Sequence, residues 1–451
     1  MKKKRVAIGL GIVAVVIVVV ILLVGPRLWL AIQGVEKLSG PQEGVPKPLA
    51  APEPVRAGQA DWPCWRGPNG DGISSVTGIR TDWSGGLKKL WEVNFLCQGS
   101  RTPTWSEPVV RGNRLVVPGR DETNDLIFCL DPESGAVIWT QSYYAMTLRA
   151  RHGPGPRATP YIDDDRVYTF GRHGHLACWQ LLDGRPLWKC NVEDNGGAAP
   201  HWGHSSSPLV YEDKVFVQGG GQALVVAYDK MTGKLAWKAL EGKAGYAAIA
   251  PLRIGEATKL LVFHGTALAC LDLADGTVLW QVPWETKYDV NASTPIVAGQ
   301  TIFITSGYGT GCQALTVGED SVETLWRNDA IASHHSDPAI IDGHLYGYSG
   351  QSNQNRGDFK CVELQTGAEK WSTGALGWGT FAHVDGHLLC QDIKGNLFLV
   401  KPDPNALAIV TEMKEALGEV SNPAWTVPTV ANGKLYLRYM QRLICYDLIN
   451  E

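Results

Sequence analysis

The sequence lacks the features that mark several common classes of function. Only 19% of its 451 residues are charged, and the net charge is −4, or −8 without the four cations Lys2, Lys3, Lys4 and Arg5. A chain without a basic excess has no electrostatic footprint for nucleic acid. It also has no C-x-x-C-H sequence for a c-type haem. We therefore expect neither nucleic-acid binding nor covalently attached haem.

Motifs for catalysis and metal binding are present only as fragments. The segment Asn69–Gly72 resembles part of a calcium loop but lacks the downstream ligands. The His201/His204 and His334/His335 pairs have no cysteine or carboxylate at a matching spacing, which favours polar loop residues over metal ligands. No nucleophile–base–orienter set can be recognised. The sequence therefore predicts no catalytic residues and no metal site.

The one long apolar run lies near the N-terminus. Residues 6–24 carry no charge and follow Met-Lys-Lys-Lys-Arg at residues 1–5, which predicts a cytoplasmic tip and an inner-membrane anchor, with the rest of the chain in the periplasm. A cleaved signal peptide is the alternative, but the run is long for one and no clear cleavage site follows. The first cysteine is Cys64, so lipoprotein processing is not expected. The proline-rich segment 25–60 predicts an extended linker.

A tryptophan repeat organises the remainder of the chain. In residues 227–237 an apolar strand ends at Asp229, Thr232-Gly233 forms a turn, and a second strand carries Trp237. The repeat tryptophans are separated by 48, 49, 49, 43, 46 and 45 residues, which is typical of propeller blades. Because this period matches the blades, we expect packing between neighbouring blades. These tryptophans are Trp91, Trp139, Trp188, Trp237, Trp280, Trp326 and Trp371.

The number of strand openings predicts eight blades. Seven units open with proline and an eighth with Thr380-Phe381, and proline at the start of a strand costs no ladder hydrogen bond. The last unit stops near Asp447, one strand short, and residues 87–93 can supply the missing strand. We therefore predict an all-β, eight-bladed propeller over residues 87–451, preceded by a lead segment at 61–86 and closed by pairing of its terminal strands.

Half of the ten cysteines occupy one position of the repeat, two residues before the acidic or amide residue that ends the strand. This predicts small buried hydrophobic residues rather than disulfide partners, because equivalent strands of different blades lie too far apart to be bridged. These five are Cys129, Cys178, Cys270, Cys361 and Cys445. Pairing among the other five stays open; they are Cys64, Cys97, Cys190, Cys312 and Cys390.

The pattern A-x-D-x-x-T-G-x-x-x-W, matched letter for letter by residues 227–237, resembles the PQQ-type propeller repeat. The segment 61–72, Asp-Trp-Pro-Cys-Trp-Arg-Gly-Pro-Asn-Gly-Asp-Gly, resembles the lead of membrane-anchored bacterial proteins of the PQQ-binding-like, or BamB-like, group. The resemblance covers residues 87–447 and implies the propeller fold. Both scaffolds and enzymes share this fold.

Two groups within this resemblance have different functions. Quinoprotein alcohol dehydrogenases bind PQQ and Ca²⁺ in the channel and typically carry adjacent cysteines, but this sequence has no Cys-Cys dipeptide. BamB is a cofactor-free, eight-bladed scaffold of about this size, from which the chain departs by its anchor, a membrane helix instead of a lipidated cysteine. The resemblance therefore implies an envelope scaffold with a protein partner and no cofactor. The alternative is a periplasmic oxidoreductase that uses PQQ with calcium.

The loops before the innermost strands predict a binding surface at one mouth of the channel. Positions three or four residues before the strand openings, together with the loop ahead of the second blade, are rich in aromatic and cationic residues, as recognition surfaces are. The alternative is that some of them only pack the channel rim. The candidates are Trp105, Arg151, His152, Arg157, His204, Asn291, His335, Trp378 and Trp425.

Overall fold

The computed structural model describes residues 53–56, 58, 60–99, 102–145, 147, 152–318, 321–351 and 356–449. The predicted cytoplasmic tip and anchor, most of the linker, and Arg151 lie outside the described residues. Within the described ranges, no helix combines the length and the apolar character that a membrane crossing requires.

Strands account for almost all of the regular structure. The first seventeen strands are β1 (Ile73–Ser74), β2 (Lys89–Val93), β3 (Val109–Arg111), β4 (Arg114–Arg120), β5 (Asn124–Leu130), β6 (Val137–Tyr144), β7 (Tyr161–Asp163), β8 (Arg166–Phe170), β9 (His175–Gln180), β10 (Pro186–Asn191), β11 (Leu209–Tyr211), β12 (Lys214–Gln218), β13 (Val225–Asp229), β14 (Leu235–Ala239), β15 (Ala250–Ile254), β16 (Ala257–Phe263) and β17 (Ala267–Asp272). The others are β18 (Val278–Pro283), β19 (Ile296–Ala298), β20 (Thr301–Ser306), β21 (Gly311–Val317), β22 (Val322–Asn328), β23 (Ala339–Ile341), β24 (His344–Gln351), β25 (Arg356–Glu363), β26 (Glu369–Thr373), β27 (Gly379–Val384), β28 (His387–Asp392), β29 (Leu397–Lys401), β30 (Ala408–Met413), β31 (Thr429–Ala431), β32 (Lys434–Tyr439) and β33 (Arg442–Asp447). Two short 3-10 helices, Val192–Asn195 and Lys287–Asp289, complete the described elements.

The strands form eight sheets, which confirms the predicted eight-bladed, all-β propeller. Blades 1 to 7 are β3–β6, β7–β10, β11–β14, β15–β18, β19–β22, β23–β26 and β27–β30, and blade 8 joins β2 to β31–β33. The first strands of neighbouring blades touch one another, so they are the innermost strands around the channel. Each fourth strand is the outermost.

Blade 3 shows why the repeat forms a hairpin. The carboxylate of Asp229 accepts hydrogen bonds from the backbone N–H of Met231 at 3.1 Å and from the Thr232 hydroxyl at 2.7 Å. These bonds hold the turn that Gly233 completes with φ of 70°. A Cβ on Gly233 would also lie 2.5 Å from the Trp188 ring of the preceding blade. The turn therefore requires glycine for both its backbone conformation and its packing.

The repeat tryptophans connect successive blades. The indole N–H of Trp139 in blade 1 donates to the carbonyl of Leu181 in blade 2, and that of Trp188 donates to Lys230 in blade 3, both at 2.9 Å. Burial varies around the ring: Trp139 is 4% exposed, whereas Trp237 is only partly buried. Each contact therefore joins a side chain of one blade to the turn of the next.

The cysteine register follows from the same packing. Cys129 lies opposite Trp139 across the β5/β6 pair, and Ala227 lies opposite Trp237 in blade 3. A small residue there leaves room for the indole. All five register cysteines are fully buried, and all ten cysteines of the chain are free thiols.

The lead segment lies within the channel rather than before the propeller. Asp61 contacts the turn after β3, where it accepts a hydrogen bond from the N–H of Gly112 at 2.7 Å. The chain then pairs with Val110 through Trp62, crosses the channel, and leaves as β1 in parallel with β27 of blade 7. The chain thus enters at the end where the innermost strands finish. Side chains of the lead segment and of the propeller pack together in one hydrophobic core.

Candidate functional site

A cavity of about 1030 Å³ lies at the end of the channel where the innermost strands begin. We call it the mouth cavity. Its walls come from residues that precede the first strands of several blades, together with loops between second and third strands, because a meandering blade brings both kinds of loop to the same end. The lining residues used below are Trp65, Trp105, His152, Arg157, His201, Trp202, Lys287, Tyr288, Asp289, Tyr308, His334, His335 and Trp425.

The lead segment forms the floor of the mouth cavity. Trp65 lines the cavity, and its indole N–H donates to the Thr294 hydroxyl of blade 5 at 3.0 Å. Next to it, Arg66 forms an ion pair with Asp337 at 3.0 Å, with the two side chains only 5% and 6% exposed. These contacts fix the lead segment across the channel. Within the described residues, the lead segment therefore obstructs the channel beneath the cavity, and we call the cavity with this floor the cup.

A series of aromatic contacts, which we call the aromatic belt, lines the cup. Consecutive ring centroids lie between 4.6 and 6.0 Å apart, a spacing at which aromatic pairs add stability beyond their buried area. His152 also packs on Trp425, at 5.4 Å. In order, the belt contains His201, Trp202, Tyr288, Tyr308, His334, His335, Trp425 and Trp105.

Four residues at the rim of the cup have a left-handed backbone conformation, which nine other non-glycine residues of the described chain share. His152, Tyr288, Asp289 and Tyr308 have φ values of 63°, 64°, 58° and 60°. Bulky residues avoid this left-handed region, and each such conformation costs on the order of 1–3 kcal/mol unless the surroundings hold it. All four residues line the mouth cavity.

The charge of the lining is positive on balance. Arg157 and Lys287 line the cup, and the one carboxylate among the described lining residues, Asp289, pairs with Lys243 at 2.7 Å. Arg157 donates to the carbonyl of Trp202 at 2.6 Å and to that of Gly153 at 3.5 Å. Burial lowers the pKa of Arg157 to about 10, which leaves it charged at neutral pH.

His334 and His335 of the belt are neutral at physiological pH. Burial lowers the pKa of His334 to about 4, and burial together with the neighbouring His334 lowers that of His335 well below its ordinary value. Neutral rings stack like other aromatic side chains. The fixed positive charge of the cup therefore comes from Arg157 and Lys287.

The structure brings most of the predicted candidates together. Trp105, His152, Arg157, His335 and Trp425 all line the mouth cavity. Their role in binding remains a prediction.

Three other candidates are buried behind the cavity wall. Trp378 is fully buried and packs under His335 at 4.9 Å. His204 is 2% exposed and packs on Phe170, and Asn291 is fully buried, where it donates to the carbonyl of His264. They support the wall and do not offer a surface to a ligand.

Other lining residues have no counterpart among the sequence candidates. Trp65 belongs to the lead segment, Tyr288 precedes its strand by a longer interval, and Tyr308 lies between β20 and β21. Counting three or four residues back from the start of each first strand does not identify these residues. The order of strands within each blade could have identified Tyr308, because the loop between the second and third strands lies at the same end of the channel as the loop before the first strand.

The lining does not fit calcium. This ion takes six to eight oxygen ligands, usually with several carboxylates. The cup offers Asp289, already bound to Lys243, and no group of three or more His, Cys, Asp or Glu residues in the described part of the chain could hold a metal. A calcium-bound quinone of the kind that the repeat resemblance allows finds no matching donor set among these side chains.

Comparison with known proteins identifies relatives of the repeat region. A family model described as outer membrane protein assembly factor BamB matches residues 123–373, more than half of the chain. Outer membrane protein assembly factor BamB of Burkholderia pseudomallei is 29% identical over 131 residues. That match spans 29% of this chain and 30% of the relative's length.

Solved structures share the fold at low sequence identity. BamB from Moraxella catarrhalis aligns with a TM-score of 0.56 and 15% identity, over 81% of this chain and 98% of that protein. A quinohemoprotein alcohol dehydrogenase from Comamonas testosteroni aligns with a TM-score of 0.63 and 11% identity, over 86% and 80%. At these identities the likeness shows the propeller fold alone.

Proposed function

The chain belongs to the family of outer membrane protein assembly factor BamB, and on that premise we propose that it is a non-catalytic scaffold that binds a protein partner in the cell envelope. The mouth cavity is the binding site. The observation that carries this proposal is the continuous series of aromatic contacts that lines the cup. Aromatic and arginine side chains dominate the energetics of protein interfaces.

The path of the chain suits a tethered binding protein. Residues 53–56 pack against blade 1 beside the turn at Asn113, whose side chain donates to the carbonyl of Pro54 at 3.0 Å. That turn follows β3 and lies at the end of the channel opposite the cup. A membrane anchor at residues 6–24 would therefore leave the cup open to a partner, with the linker as spacer.

Site-specific crosslinking tests the proposal. A photoreactive residue in place of Trp105, at the rim of the cup, should crosslink a discrete envelope protein in cells, and Trp425→Ala should abolish that product. The control is the same photoreactive residue in place of Leu235, an exposed position on the outer strand β14 of blade 3. Equal crosslinking at both positions would show that the cup is not the binding site.

The alternative function is a quinoprotein oxidoreductase. Its support is the position of a large cavity at the channel mouth, while the single carboxylate of the lining argues against a calcium site. Reconstitution with PQQ and Ca²⁺ separates the two functions. A scaffold should gain neither a quinone absorbance nor alcohol-dependent dye reduction, whereas an oxidoreductase should gain both.

A further inference from the structure

The closed floor limits how a polypeptide can occupy the mouth cavity. Trp65 is held to blade 5 and the neighbouring Arg66 to blade 6, so a bound chain cannot pass through the channel. It must enter and leave by the same opening. At about 1030 Å³ the cup is at the upper end of the roughly 300–1,000 Å³ that ligand pockets span. That space suits the end of one chain better than a folded surface.

The polar groups in the cup select for negative charge. Arg157 and Lys287 line it, while the carboxylate of Asp289 is bound to Lys243. A carboxylate supplies the complementary negative charge together with two acceptor oxygens.

The guanidinium of Arg157 is held in a fixed orientation that suits a carboxylate. Its guanidinium is held by the carbonyls of Trp202 and Gly153, at the side of the cup where the belt passes through Trp202. A guanidinium whose orientation is fixed before binding loses little entropy when it pairs with a planar carboxylate.

We propose that the mouth cavity binds the carboxyl-terminal end of a partner polypeptide, with the terminal carboxylate on Arg157 and the last side chains against the aromatic belt. The inference rests on the proposed function and specifies its ligand. A chain terminus carries its carboxylate and its last side chain on the same Cα. The carboxylate can therefore pair with Arg157 while the side chain packs against the neighbouring aromatic rings. A loop would have to bring two chain segments through one opening, and its carboxylate would depend on a particular residue.

Two matched peptide pools test the inference on the purified full-length chain in detergent. Both contain random octapeptides, one with free carboxyl termini and one with carboxamides, and bound peptides are identified by mass spectrometry. We expect recovery mainly from the free-acid pool, with aromatic residues enriched near the terminus. For a recovered peptide, Arg157→Gln should weaken binding by roughly thirtyfold, the scale of an interface hot spot. Arg157→Lys keeps the charge but loses the parallel N–H donors of the guanidinium. Its affinity should therefore lie between that of the native chain and that of Arg157→Gln.

Controls separate this inference from the proposed function. Arg253→Gln, at an exposed arginine of blade 4, should bind like the native chain. Equal recovery from both pools, still lost on Trp425→Ala, would overturn the chain-end inference and leave a partner-binding cup. Preference for internal Asp or Glu in both pools would assign the carboxylate to a side chain and also overturn it. No binding from either pool would overturn it as well, and the crosslinking at Trp105 would then decide the proposed function alone.

Discussion

Trp91 lies opposite Cys445 in an antiparallel strand pair, although the two residues come from opposite ends of the propeller sequence. The indole N–H of Trp91 then reaches across to blade 1 and donates to the carbonyl of Pro132 at 3.0 Å. One side chain thus completes blade 8 and joins it to blade 1. The ring closes because this N-terminal strand completes the C-terminal blade.

Loss of the closing strand should destabilise the whole ring. Deletion of residues 87–93 removes β2 and exposes the edge of β33, so we expect a sharp fall in the melting temperature. Leu90→Gln, at an exposed position of the same strand, is the control and should change it little. An unchanged melting temperature after the deletion would contradict closure by this strand.

The repeat tryptophans should differ in their energetic weight. Trp139 is 4% exposed and bonded to Leu181, so Trp139→Ala should cost about 3–5 kcal/mol in the free energy of unfolding. Trp237→Ala should cost less, because Trp237 is only partly buried. Urea denaturation measures both values. Equal costs would mean that exposure does not set the contribution of these side chains.

Removing only Arg66 from its ion pair with Asp337 should destabilise the fold more than replacing both residues. Arg66→Met leaves the Asp337 carboxylate buried without its cation, and we expect a loss of about 3–5 kcal/mol. In the double variant Arg66→Met/Asp337→Asn much of that loss should be recovered, because the amide oxygen can still accept from the backbone N–H of Thr294. A double-mutant cycle in urea measures the coupling. Additive costs would show that the pair does not interact.

Mild acid should weaken the fold through its buried histidines. Burial lowers the pKa of His204 to about 4, against about 6.5 in an unfolded chain. Between these values the unfolded state takes up a proton that the folded state does not. Stability is therefore complete above about pH 6.5 and falls as the pH drops towards 4, by at most roughly 3 kcal/mol for this residue.

Melting curves between pH 7.5 and pH 4.5 test this sign. His204→Gln should flatten the pH dependence in this window relative to the native chain. Stability that rises as the pH falls would contradict the assignment.

The anchor prediction concerns residues 6–24 and is tested by fractionation. The full chain should remain with membranes after a carbonate wash, and a variant that begins at residue 39 should not. A mature N-terminus between residues 25 and 60 would instead support the signal peptide.

The repeat pattern determined most of the fold because each blade is a local hairpin unit. In blade 3, the strand predicted to end at Asp229 is observed at Val225–Asp229, and the strand predicted to carry Trp237 is observed at Leu235–Ala239. The Asp229 cap, the Gly233 turn and the tryptophan act within one hairpin or between adjacent blades. Their spacing therefore predicts the number and order of the blades. The incomplete last unit predicts that the N-terminal strand closes the ring.

Only the tertiary structure decided which side chains share the mouth cavity. The sequence offset correctly placed Arg157 and Trp425 at one end but could not distinguish them from Trp378, which faces the blade core. Nor could it show that the lead segment turns into the channel so that Trp65 forms a floor. Burial at a given register depends on how neighbouring loops pack, and the path of the lead segment depends on Arg66 meeting Asp337, far away in the sequence. Contacts of that range are determined by the assembled ring, and no local pattern contains them.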